Sequence, residues 1–157
     1  MWQNVIGFNP INECRIKGTF CNYSIISCHA PTENSSEEEF YDTLEAAHDA
    51  CPKSDIKILA VYFNAKIDQE NIYYPTIRPH EECNDNGQRT VNFAASQNLV
   101  VGTTLYHGCR IHKPSPYLKT FNQIDHLLIS ARHRSNLLSV RTFTGANIDA
   151  DHYLVIA

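Results

Sequence analysis

Ile56-Lys57-Ile58-Leu59-Ala60-Val61-Tyr62-Phe63 is a nearly continuous apolar run, of the kind a strand needs when both faces of its sheet are covered. Upstream, Ser35-x-x-Glu38 has the form of a capping box and opens a helix. Phe40, Leu44, Ala47 and Cys51 fall on one face of it, and Pro52 marks its end. Further back, Arg15-Ile16-Lys17-Gly18 followed by Phe20 to Ala30 reads as two strands joined by a turn at Lys17-Gly18. Downstream, residues 68–86 are rich in Pro, Asn, Glu and Asp and read as an irregular surface excursion. A second helix is expected over Gly87–Asn98, with Val91, Ala94 and Ala95 facing inward. Leu99–Leu105, Gln123–Ser130, Leu137–Phe143 and His152–Ile156 are strand candidates. A hairpin, a helix, a covered strand, a helix and then several strands make an α+β sandwich rather than a helical bundle or an all-β barrel.

The chain has 157 residues, 43% hydrophobic and 19% charged, which is the composition of one globular domain. Its net charge of −4 excludes a globally basic nucleic-acid coat. A local basic groove stays open, because Lys113, Lys119, Arg132, Arg134 and Arg141 all fall in the last third. No apolar run is long enough to span a bilayer. Met1-Trp2-Gln3-Asn4 lacks the basic start and apolar stretch of a signal peptide, so an intracellular, cytoplasmic or nuclear location with no membrane partner is expected. Cys14, Cys21, Cys28, Cys51, Cys83 and Cys109 form no Cys-x-x-Cys pair, and free thiols are expected.

Asp151-His152 enters a terminal apolar strand, and Gln123-Ile124-Asp125-His126 offers a second aspartate to orient a histidine. A carboxylate on one ring nitrogen fixes the imidazole tautomer and leaves the other nitrogen for water or phosphate. Singly, each of these has a plainer reading: His152 as a strand-entry residue, Asp125 as a turn cap, Asn64 as a turn residue. His126 and His48 read as structural.

Together the motifs say more. His29-Ala30-Pro31-Thr32, Tyr62-Phe63-Asn64-Ala65, Asn86-Gly87-x-Arg89, Gln123-Ile124-Asp125-His126 and Asp151-His152 occur in the order of the endonuclease/exonuclease/phosphatase superfamily. The chain resembles in particular the craniofacial development protein 2-like group and the endonuclease domains of non-LTR retrotransposons. The resemblance implies a four-layered α/β sandwich, two mixed sheets flanked by helices, and cleavage of phosphate esters with Mg2+ or Mn2+. It assigns His152 as the catalytic histidine, Asp125 as its orienting aspartate and Asp151 as a metal-site carboxylate. Asn64 would hold the scissile phosphate or the attacking water, and His29 would contact phosphate. His152, Asp125, Asp151 and Asn64 are expected to converge on one cleft, with Tyr62 pointing into it.

Two departures bear on activity. Where the family has Gly-Asp-Phe-Asn, this chain has Val61-Tyr62-Phe63-Asn64. A phenol titrates near ~10 and supplies no carboxylate at pH 7; losing positioned acid-base help costs on the order of 10²–10⁴ in rate. The family also implies an N-terminal strand-helix-strand carrying an asparagine and a metal-binding glutamate, and no residue here matches them. The expectation is therefore one partial domain over residues 1–157, with weakened metal binding and self-association through an exposed sheet edge. Two functions follow: an impaired phosphodiesterase acting by ancestry on DNA or another phosphate ester, or a non-enzymatic remnant that binds nucleic acid or protein.

Overall fold

The computed structural model describes residues 11–30, 37–63, 65–67, 84–105, 125–143 and 154–157. Strands β1 (Ile11–Ile16) and β2 (Tyr23–His29) form an antiparallel hairpin. Its connection is longer than the expected two-residue turn. A Cβ on Gly18 would collide with the Cys21 carbonyl, so glycine is required where this loop folds back on itself. Helix α1 (Glu37–Ala50) follows, and β3 (Ile56–Tyr62) then lies parallel to β2. Helix α2 spans Asp85–Ser96, β4 Leu99–Val101, the short α3 Gly102–Leu105 and β5 Asp125–Ser130. A 3-10 helix over Ala131–Asn136 leads to β6 (Arg141–Phe143), which pairs antiparallel with β7 (Leu154–Ile156). The main sheet is five-stranded and mixed, in the order β1-β2-β3-β5-β4, beside the two-stranded β6-β7 sheet.

Strand alternation divides the core in two. On one face Ile26, Cys28, Leu59, Val61 and Leu128 are buried with Phe40, Leu44 and Ala47 of α1 and Val91, Phe93 and Ala94 of α2. The α1 face is the one its spacing predicts. Burying side chains such as Leu44 contributes about 1.5–3 kcal/mol each. On the other face Ile56, Val100 and Ile129 are buried with Leu137 and Val140, and Val155 of β7 packs against them. Sheet-on-sheet cover therefore reaches one end of β3 and gives way to an open cleft at the other.

The hairpin is latched to β3 by charge. Arg15 donates to both carboxylate oxygens of Asp55, at 2.6 and 3.0 Å, and Ser24 donates to the same carboxylate at 3.0 Å. Lys57 is also buried, and its ammonium donates to the His48 carbonyl in the last turn of α1 at 2.6 Å, where the helix dipole favours a cation.

Several expected boundaries differ. The second helix starts at Asp85, because Asn84 accepts from Gly87 N and caps it. Phe93 turns inward and Ala95 is exposed. The strand expected over Leu99–Leu105 ends at Val101. Gly102 sits so close to Leu137 that a Cβ would come within 2.5 Å of its side chain, and the chain turns into α3 there. The strand expected over Leu137–Phe143 pairs only from Arg141. Capping-box Ser35 and residues 68–83 lie outside the described residues. No helix among the described residues is long and apolar enough to cross a membrane, and Cys14, Cys21, Cys28 and Cys51 are free thiols.

Candidate active site

Three strands bring three of the candidate side chains into one row. His29, the last residue of β2, is the register partner of Tyr62, and Tyr62 is the partner of Asp125, the first residue of β5. Their neighbours Cys28, Val61 and His126 are buried, with Cys28 and Val61 in the helix-side core, so alternation turns His29, Tyr62 and Asp125 to the other face. The His29 and Tyr62 rings stack there, with centroids 4.5 Å apart and planes inclined by 11°. One step along the sheet, Asn12, Ser27, Ala60 and Leu127 form a second row in the same register. Leu154, Val155 and Ala157 stand opposite, and the space between is a cleft of about 530 Å³.

The loop leaving β3 is pinned on both sides. His126 Nε2 lies 2.8 Å from the Ala65 carbonyl, which can only accept, so Nε2 carries the proton. In the neutral ring Nδ1 then accepts from the Thr103 hydroxyl at 2.9 Å. Asn84 Oδ1 accepts from Lys66 N at 2.8 Å as well as from Gly87 N at 2.9 Å, so one amide caps α2 and clamps residue 66. The sequence reading missed Asn84; an Asn-Asp pair just ahead of a helical pattern was the available signal. His126 was expected to be structural, and its hydrogen bonds are of that kind.

Cys28 borders the cleft, but its side chain belongs to the buried core. Burial pushes its thiol up to about 12, so it is no nucleophile at neutral pH. Asn64, Asp151 and His152 lie outside the described residues, and so does the expected approach of His152 to Asp125. What the described residues bring together is His29, Tyr62 and Asp125.

That set supplies an imidazole, a phenol and one carboxylate. Magnesium prefers several hard oxygen ligands, and among the described residues no group of three or more His, Cys, Asp or Glu is arranged to hold a metal ion. The described donors do not fit a magnesium site.

Comparison with known proteins agrees with this architecture. No protein-family model matches the chain. Craniofacial development protein 2 of Tragulus javanicus is 31% identical over 169 aligned positions, covering 98% of this chain. The endonuclease domain of TRAS1, a telomere-specific non-LTR retrotransposon, superposes with a TM-score of 0.63 at 12% identity, over 92% of this chain and 60% of that one. The chain has the α/β fold of these endonuclease/exonuclease/phosphatase structures. The 3'-5' exonuclease NExo of Neisseria meningitidis superposes with a TM-score of 0.60 at 16% identity, over 85% of this chain and 59% of that one. The chain spans 29% of the length of the craniofacial development protein 2 it resembles. The mixed five-stranded sheet with helices on one face and a second sheet on the other is the superfamily's α/β sandwich.

Proposed function

We propose that the chain is an endonuclease-type phosphodiesterase domain whose cleft has lost cleavage. His152 would be the base, Asp125 its orienting carboxylate, Asp151 a metal carboxylate, and Asn64 and His29 phosphate contacts. The observation that carries the reading is Tyr62. It lies between His29 and Asp125 in register and is stacked on His29, at the position where the family's acid would stand. A phenol in a ring stack neither aligns a nucleophile nor gives a leaving group its proton at neutral pH. Magnesium or manganese, if bound through Asp151, would be bound weakly. The retained chemistry is recognition of DNA or a related phosphate ester inside the cell, and β1 as an edge strand is the proposed route of any self-association. Titratable phosphodiester cleavage is tested by nicking of supercoiled plasmid with magnesium or manganese. No nicking above background is expected. Robust nicking by the unmodified chain that vanishes in His152→Ala would overturn the proposal.

A further inference from the structure

We propose that the end of the main sheet remote from the cleft is a second binding surface. There Lys17, Lys53, Arg132 and Arg134 hold the phosphates of an unpaired nucleic-acid strand, and Phe20 stacks on one of its bases. None of the cleft residues takes part, so this surface goes beyond the phosphodiesterase reading.

Register brings the four cations to one end. Ile16 is the partner of Tyr23 and Tyr23 of Ile56, and the Ile58–Ile129 pair sets Ala131 level with Ile56. Tyr23, Ile56 and Ala131 pack in one apolar cluster. Lys17 and Arg132 follow the two ends of this row, three inter-strand spacings or about 14 Å apart. Lys53 lies in the turn before β3, and Arg134 in the 3-10 helix that follows β5. All four are exposed, and none is in an ion pair. Residues 16–23, 51–56, 97–99 and 130–136 make this end, and Asp55 is the only carboxylate among them, buried and held by Arg15. The chain as a whole carries −4, so a locally positive end stands out from a negative molecule and steers polyanions to itself.

Phe20 decides the ligand. It is 99% exposed in a loop that is anchored on both sides. A Cβ at Gly18 would strike the Cys21 carbonyl, the Asn22 carbonyl accepts from Ile56 N at 2.9 Å, and Cys21 and Tyr23 pack against the core. A ring held out on an anchored loop loses little freedom on binding, which suits it as a stacking platform. Bases in a duplex already stack on one another, so such a ring selects an unpaired strand. A stacked strand rises ~3.4 Å per phosphate, and about four phosphates cover the distance from Lys17 to Arg132. A membrane-surface segment buries a broad apolar face, whereas one projecting ring beside separated cations matches a strand with its alternating phosphates and bases.

The test is fluorescence anisotropy of the full chain with labelled oligothymidine and oligouridine of about twelve nucleotides and a duplex of the same length. Co-sedimentation with phosphatidylserine vesicles forms a further arm. Both single strands should bind more tightly than the duplex, and a lead of one over the other assigns the surface to DNA or to RNA. Phe20→Ala should weaken single-strand binding roughly tenfold, as loss of a stacking platform does, and leave the salt dependence unchanged; Phe20→Tyr should keep the affinity. Arg132→Ala combined with Arg134→Ala should flatten the salt slope by about 1.4, at ~0.7 for each phosphate contact on a single strand. These side chains are exposed, so the variants should fold as the parent does. Tighter binding of the duplex, equal single-strand affinity in Phe20→Ala and the parent, or binding to vesicles without binding to either strand overturns the proposal. So does a loss seen in His29→Ala and not in Phe20→Ala, which assigns the strand to the cleft. Plasmid nicking bears on the cleft alone, so the two readings fail separately.

Discussion

His126 and Ala65 are joined by a 2.8 Å hydrogen bond from the imidazole to the backbone carbonyl, which ties β5 to the segment leaving β3. Because His126 directly follows Asp125, the bond fixes the position of the cleft carboxylate relative to that segment. The same ring meets Thr103 through its other nitrogen, so three stretches of chain depend on one buried side chain.

His126→Phe keeps the bulk and removes both bonds, leaving a buried carbonyl and a buried hydroxyl without this partner. The expected cost is about 1–3 kcal/mol. It should be read as a lower urea midpoint with an unchanged slope. A midpoint equal to that of the parent would show that the bridge carries no net stability.

The Arg15–Asp55 latch gives stability a pH dependence of known sign. The Arg15 hydrogen bonds hold the Asp55 carboxyl below its ordinary range, with burial opposing and Ser24 assisting. A carboxyl depressed in the folded state contributes stability above its unfolded value of ~3.9 and loses it as pH falls through the lower folded value. Asp55→Asn should therefore be less stable than the parent at pH 7, and the gap should close in acid below about pH 4. Urea midpoints at neutral and acid pH measure it; a gap independent of pH would contradict the latch.

Leu44→Ala removes a fully buried side chain from the α1 face. The loss should be about 2–5 kcal/mol, because α1 and the sheet close only partly over the void. Ala95→Ser, on the exposed side of α2, should change stability by less than about 0.5 kcal/mol. Comparable losses at the two positions would mean that the helix faces are misassigned.

These two positions also show what the sequence made legible. The α1 stripe of Phe40, Leu44, Ala47 and Cys51 and the covered strand at Ile56 follow from periodicity, since burial repeats with the element. Ala95 did not, because the buried side of α2 is set by tertiary packing, in which Tyr41 of α1 meets Thr90 and Phe93. The end of β4 is likewise tertiary: Thr103 and Thr104 are β-formers by propensity, but the close approach of Leu137 to Gly102 turns the chain. In the cleft, motif order picked out His29, Tyr62 and Asp125. The ring stack was not readable, because it requires the parallel register of β2 and β3.

Returning a carboxylate at position 62 tests what that position does now. Tyr62→Asp sets two carboxylates directly opposite each other across β3 and β5 and removes the stack on His29. Like charges in register destabilise a strand pair, and a lost aromatic pair costs about 0.5–1.5 kcal/mol beyond its buried area. Without divalent metal the variant should therefore melt below the parent. Two facing carboxylates also begin a hard-oxygen site, so magnesium or manganese should raise its melting temperature. The gain should be about 1.4 kcal/mol when the metal stands near tenfold above its dissociation constant. The parent should show no comparable shift. Nicking should stay at background in the variant, because metal binding alone leaves out the further groups that align nucleophile and leaving group. Melting curves in chelator and in each metal, run beside the plasmid assay, separate the two effects. Metal-dependent nicking restored by this one substitution would show that the missing carboxylate was the whole defect.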